Sequence, residues 1–387
     1  MSQQQSTGPL AGYRIIEFAG IGPGPYAGQL LADLGAEVVC IERPAPGANP
    51  TAGTATIDNR GKQSLVLDLR KPGASAVALR LIEGADGLIE GNRPGVMERL
   101  GLGPDECHAV NPKLVYGRMT GWGQTGPWAK VAGHDINYIA ITGALHAMGK
   151  AGEVPMPPLN LVGDYGGGSL FLVMGMLSAL LRAQKTGEGD VVDAAIIDGT
   201  SSLMGMFYTL AGHGRWSTNR QSNLLDGGMP FYRCYATADD KFVAVGCIEP
   251  QFFALMLEKL EIDPGDFGAQ HDPVQHAAQH RRLEEIFGSR TRDEWAALFD
   301  GSDACVAPVL DYEEAASHPQ NRARGGLIEH GGLIHPRTAP GFAVAEPTPD
   351  FAIPDRGQDT RTVLAAAGLD PDAIEQLIRD GVAHAGD

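Results

Sequence analysis

Two short segments carry residue types able to move a proton. Gly133-His134-Asp135-Ile136-Asn137-Tyr138 presents an imidazole, and Asn160-Leu161-Val162-Gly163-Asp164-Tyr165-Gly166-Gly167-Gly168 presents a carboxylate. Each group lies in a glycine-bounded loop just ahead of a helix-like stretch. A helix start offers unpaired N–H groups and the positive end of a dipole, so it favours negative charge nearby. Two proton-transfer groups beside an anion-stabilising loop are the parts needed to remove a proton next to a carbonyl and return it. Taken alone, the same residues also read as ordinary local structure: a polar cap at His134 or Asp135 and a turn carboxylate at Asp164.

Positioning such groups requires a scaffold, and the hydrophobic pattern describes one. Over the first 195 residues, short apolar runs at 13–18, 37–41, 64–69, 87–90 and 113–119 read as strands. Residues 26–34 and 75–82 between them carry helical spacing, and a long apolar helix is expected from about 170 to 182. This alternation predicts an α/β fold with a large, doubly wound, mostly parallel sheet. Residues 226–320 read differently, as a smaller α+β domain. There 231–237 and 241–248 form a hairpin pattern around Ala238-Asp239-Asp240, and 252–260 looks helical. Thr291-Arg292-Asp293-Glu294 is a capping box opening another helix through Phe299. The expected organisation is a large domain over 1–195, linkers at 196–225 and 321–339, and a return of 340–387 to the large domain. Asp370-Pro371 caps a final helix.

Bulk properties bound the function. At 387 residues the chain is long for one core. A hydrophobic content of 43% with 20% charged residues describes an ordinary globular protein. The net charge of −17 argues against nucleic acid and anionic membrane surfaces as partners. That charge is uneven: residues 1–100 hold 9 Lys/Arg against 10 Asp/Glu, so nearly all the excess lies beyond them. A near-neutral N-terminal part leaves room for a polyanionic ligand. No run approaches the roughly 18 apolar residues of a membrane span. The N-terminus lacks a secretory pattern and the C-terminus a peroxisomal tripeptide, so a cytoplasmic enzyme is the expectation. The 5 cysteines show no Cys-x-x-Cys spacing and support neither a disulfide framework nor a metal site.

Two glycine motifs imitate nucleotide loops. Gly22-Pro23-Gly24-Pro25 follows a strand and enters a helix, with Glu42 at the end of the next strand. This resembles a relaxed dinucleotide fingerprint. Pro23 and Pro25, however, lack the N–H donors a pyrophosphate cradle uses. Gly121-Trp122-Gly123-Gln124-Thr125-Gly126 matches Gly-x-Gly-x-x-Gly, but Pro127 breaks the entry into a helix. A tight loop that lets backbone approach something closely is the better reading there.

The ordered set of segments resembles the alpha-methylacyl-CoA racemases, within the family III CoA-transferase superfamily. It comprises Glu17-Phe18-Ala19-Gly20-Ile21-Gly22-Pro23-Gly24-Pro25, Ile41-Glu42-Arg43-Pro44, Arg93-Pro94-Gly95-Val96, the Gly121–Pro127 loop and the two opening segments. Asp226-Gly227-Gly228, Ala244-Val245-Gly246-Cys247-Ile248-Glu249-Pro250 and Asp303-Ala304-Cys305-Val306-Ala307-Pro308-Val309 continue it. The resemblance implies a CoA site on the large domain, with Arg43, Val66, Leu67, Asp68, Leu69, Arg93 and Arg99 as cofactor-binding positions. Lys62 is a weaker candidate, and Gly133, Asn137 and Tyr138 are carried over with the His134 segment. An arginine can clamp a phosphate or stack on adenine, and a strand backbone can read the adenine edge.

The same resemblance assigns His134 to one face of a substrate alpha carbon and Asp164 to the other, with Glu249 orienting the imidazole. Backbone N–H groups around Asp164 and Gly166 are the expected oxyanion donors. It further implies an interlocked homodimer, an acyl-CoA substrate and no cofactor beyond the substrate's CoA moiety. The competing activity is CoA transfer, in which an aspartate at the position of Asp164 acts as acyl-accepting nucleophile. Those relatives carry an aromatic residue where this chain has His134, and a titratable imidazole there is what a proton shuttle requires. A catalytically inactive CoA-binding protein would need neither His134 nor Asp164.

Overall fold

The structure, a computed structural model, describes residues 8–45 and 56–386. The chain folds as two compact units. The described residues of 1–142, 158–204 and 329–387 form the first, and 143–157 and 205–328 form the second. The division corrects the linker expected at 196–225, which is helical at Ile196–Leu203 and Gly205–Gly212, with the boundary between these helices. Residues 143–157, expected within the large domain, cluster with the second unit.

The first unit is built on a seven-stranded sheet. Its strands are β1 (Arg14–Phe18), β2 (Glu37–Glu42), β3 (Lys62–Leu67), β4 (Gly87–Glu90), β5 (Val115–Thr120) and β6 (Asp190–Ala195), with Ala383–His384 as a C-terminal edge strand. The spatial order is edge strand–β3–β2–β1–β4–β5–β6, parallel throughout except for the antiparallel edge strand. This is a doubly wound sheet whose direction of winding reverses between β1 and β4. Parallel strands are covered on both faces, which accounts for unbroken apolar runs such as Leu65-Val66-Leu67, all buried. One face packs the 74–82 helix and the two C-terminal helices through Leu81, Val363 and Ile374. The other packs the helices Pro23–Asp33 and Leu170–Thr186 through Leu31, Leu172 and Met176.

The long helix corrects one expectation. Residues Leu161–Thr186 form 26 continuous helical residues, long and apolar enough to cross a membrane by length and composition. Half of its most apolar window is buried, because Leu172, Val173, Met176 and Ala179 pack on the sheet.

The second unit holds a three-stranded antiparallel sheet in the order β7 (Tyr232–Ala236), β8 (Phe242–Gly246), β9 (Val306–Val309). Helices Pro250–Lys259, His276–Phe287 and Arg292–Phe299 enclose its core around Phe231, Tyr235, Phe287 and Trp295. The Thr291 capping box forms as its spacing predicts: Glu294 N–H donates to Thr291 Oγ1, and Thr291 N–H to Glu294 Oε2. Asp226 brackets its own turn by accepting from the Ser222, Asn223 and Gly228 N–H groups.

Candidate active site

In a doubly wound sheet, ligands gather beyond the carboxyl ends of the strands near the point of reversal. Both candidate regions of the first unit lie there. The first is a cleft of about 300 Å³ at the ends of β1, β2 and β3, with Phe18, Ile41, Leu67 and Val96 as apolar lining and Glu42, Arg43, Asp68 and Arg70 as charged lining. Of the predicted cofactor positions it brings together Arg43, Leu67, Asp68 and Leu69. Arg43 is exposed, and its backbone carbonyl accepts from Arg356 Nη1 at 2.9 Å. Asp68 accepts from Arg70 Nε at 2.8 Å and Nη2 at 2.9 Å, and these bonds hold its carboxyl down at about 2.

Other predicted positions lie elsewhere. Val66 is interior to the sheet, and its N–H donates to Thr360 Oγ1, while the Asp68 N–H donates to Val382 O. The C-terminal segment therefore occupies backbone donors that the resemblance offered to adenine. Arg93 and Arg99 are exposed and do not line the cleft; the Arg93 charge acts instead on the Tyr138 hydroxyl. Lys62 is buried, donating from Nζ to Glu17 Oε2 at 2.7 Å and to Pro25 O at 2.9 Å, so its charge is spent inside the fold.

The second region joins the two segments that opened the sequence analysis. Asp164 lies in the first turns of the long helix rather than in a loop. That opening, Leu161–Ser169, is π-helical, with the Tyr165 N–H donating to Asn160 O five residues back. Single π turns inside longer helices are frequent at functional sites. Facing it, His134 immediately precedes the helix Asp135–Ala140, and its N–H donates to Asn137 Oδ1 at 3.0 Å. Asn137 thus caps this helix. Tyr138 donates its hydroxyl to Gly133 O and packs edge-on against Trp122 with ring centroids 4.8 Å apart. These two residues and Gly133 hold the His134 loop in shape.

Electrostatics single out Asp164. Burial, and then the neighbouring Asp135 carboxylate, push its carboxyl up to about 6, against a hydrogen bond from Asn160 and the charge of His134. The Asp135 carboxylate lies close because its Oδ1 accepts the Asp164 N–H at 2.7 Å. That bond also removes the Asp164 N–H from the expected oxyanion donors. Sequence reasoning missed Asp135 as anything beyond a cap, although it directly follows His134. It also missed Arg70, whose signal was its place two residues after Asp68.

Both glycine motifs find their purpose here. Gly22 has φ 73°, and a Cβ on it would stand 2.9 Å from Asp164 Oδ2, so the first turn forms a wall of the carboxylate's site. A Cβ on Gly121 would stand 2.0 Å from Tyr138 Cε1, so this loop admits an aromatic ring rather than a phosphate.

Glu249 belongs to the second unit, at the start of Pro250–Lys259, and its side chain makes no capping bond there. Its charge helps burial push up the Cys305 thiol.

A family model described as CoA-transferase family III matches residues 10–360. The chain belongs to this family. Alpha-methylacyl-CoA racemase of Mus musculus is 42% identical over 376 residues, covering 96% of this chain and 97% of that protein. Alpha-methylacyl-CoA racemase of Homo sapiens is 40% identical over 375 residues, covering 96% and 97%. Among solved structures, a CAIB/BAIF family protein from Brucella suis matches with a TM-score of 0.81 and 26% identity, over 93% of this chain and 99% of that one. The two-segment arrangement is thus carried on a fold shared across this CoA-transferase family.

Proposed function

We propose that this family III member is an alpha-methylacyl-CoA racemase, inverting the alpha carbon of 2-methyl-branched acyl-CoA thioesters by 1,1-proton transfer through an enolate. The observation that carries the reading is a half-buried Asp164 carboxyl, titrating at about 6, within reach of the His134 charge. A group that titrates near neutral pH is both a usable base and a usable acid. The length and level of identity to the two racemases support the same reaction class.

One member of the pair removes the alpha proton, and the C–H electron pair moves onto the thioester oxygen. The other member then delivers a proton to the opposite face, and the oxygen's electron pair reforms the carbonyl. Each turnover exchanges the protonation states of the pair, and solvent resets them. With the Asp164 and Asn137 N–H groups engaged, the Asp135 and Ile136 N–H groups after His134 are the donors this reading assigns to the enolate oxygen. The substrate's CoA moiety supplies the handle: its nucleotide end occupies the cleft beside Arg43 and Arg70, and no further cofactor takes part.

The active enzyme is a homodimer with composite sites in this reading, and Glu249 is the carboxylate proposed to orient His134. Leu170, Met174 and Leu181 are each more than half exposed along one stripe of the long helix, which is apolar surface suited to such a contact. The cytoplasm is the compartment proposed. The test is incubation of one enantiomer of a 2-methylacyl-CoA with the enzyme and no acyl acceptor. Loss of optical activity is expected. Optical purity that persists until a free carboxylic acid is added, followed by CoA transfer to that acid, would establish the transferase reading, with Asp164 as nucleophile.

A further inference from the structure

We infer that Asp135 is a positioning residue that orients and electrostatically tunes the Asp164 carboxylate, an inference that rests on the proton-transfer reading of this site. Asp135 begins the helix next to His134, yet its side chain turns away to the other segment. Its Oδ1 accepts the Asp164 N–H at 2.7 Å, and the Gly163 N–H beside it helps stabilise the carboxylate charge. A Cβ at Gly163 would lie 2.2 Å from that oxygen, so the close approach depends on glycine there. One side chain therefore ties the turn carrying one proton-transfer group to the helix that follows the other.

The second carboxylate oxygen carries the argument further. Asp135 Oδ2 is shielded from solvent and has no hydrogen-bond partner among the described residues. A buried acceptor left unsatisfied is costly, and a neutral side chain with one oxygen could make the same tie. What the carboxylate adds is charge. Two neighbouring carboxyls do not ionise together readily, and the one with better donors keeps its charge. Burial pushes the Asp135 carboxyl up as well, but the Asp164 and Gly163 N–H groups pull it back; Asp164 has the Asn160 side chain and rises to about 6. The proton thus falls to Asp164, the member facing His134.

Other groups around Asp164 do not supply this effect. His134 opposes it, and the Tyr138 hydroxyl, itself facing Asp164, Asp135 and Arg93, stays protonated in the neutral range because burial raises it. The first helix and the turn before it offer Gly22 as a wall and the Tyr26 ring tilted against Tyr165, neither charged at neutral pH.

The test is Asp135→Asn in the full-length protein, which keeps the size and one side-chain oxygen while removing the charge. Carboxyl-¹³C aspartate labelling, with the Asp164 resonance assigned through Asp164→Asn, gives its titration directly without any assay of turnover. The Asp164 midpoint is expected to move to lower pH in Asp135→Asn, and the acid limb of the epimerisation profile to move with it while KM holds. Asp135→Ser, a smaller neutral acceptor, should give the same downward movement and serves if the asparagine variant fails to fold. An Asp164 midpoint that stays in place in either folded variant would overturn the inference. A parent enzyme that lacks epimerisation altogether would sink the functional reading instead and leave the titration to decide this one.

Discussion

Two aspartates of the first unit, Asp68 and Asp164, lie at the same end of the same sheet and are driven in opposite directions. Asp68 faces the Arg70 guanidinium, which holds its carboxyl at about 2; Asp164 is desolvated beside another carboxylate and rises to about 6. The first is a fixed charge that anchors a cation in the cleft. The second exchanges protons in the range where an enzyme works. Residue type is shared, so the environment alone separates the region proposed to bind from the one proposed to react.

The strongest way to break this division is to remove its reacting members. Asp164→Ala and His134→Ala should each lower epimerisation by roughly 10²–10⁴-fold, the scale of a lost general acid or base, while CoA binding measured by calorimetry remains. Comparable loss of CoA affinity in both variants would mean that the two regions are one.

Lys62→Met strikes beneath both. Its Nζ pairs with the fully buried Glu17 and holds Pro25 O at the start of the first helix, whose preceding turn walls Asp164. Leaving Glu17 buried and unpaired costs about 3–5 kcal/mol, so the urea midpoint should fall together with activity. A variant as stable as the parent would show that the pair is dispensable.

A smaller effect isolates the cleft. Arg43→Ala should weaken CoA binding by about tenfold, the value of one charge-assisted contact, with kcat close to the parent. An unchanged Kd would remove Arg43 from the nucleotide site.

The pH dependence sharpens the contrast without large losses. Below about pH 6 Asp164 is protonated and the pair loses its carboxylate base. Epimerisation in both directions should therefore fall on the same acid limb, because the pair titrates as a unit and the inversion equilibrium does not involve protons. Asp68→Asn should leave that limb in place, since Asp68 is ionised throughout the range.

The sequence made the frame legible where patterns were strong. Unbroken apolar strands around Ile15, Val39 and Leu65 announced a parallel sheet, and the local chemistry of Thr291 and Asp370 marked helix starts that do form. β6 escaped notice because Asp190 and Asp193 interrupt its apolar run, and the Ala383–His384 edge strand is too short to show a period. The site followed the same rule. His134 and Asp164 were visible as types in glycine-rich settings, but the tie through Asp135 joins positions 29 residues apart. The internal pairing of Lys62 with Glu17 spans 45. Such partnerships are set by tertiary approach, and no local spacing records them.

The central claim, that Asp164 and His134 pass protons to opposite faces of one carbon, is tested most directly in deuterated water. A single enantiomer of a 2-methylacyl-CoA should gain deuterium at the alpha carbon as its stereocentre scrambles, with no acyl acceptor present, and Asp164→Ala should end net inversion. An unlabelled alpha carbon, together with an acyl group trapped on Asp164 and CoA passed to an added carboxylic acid, would contradict it.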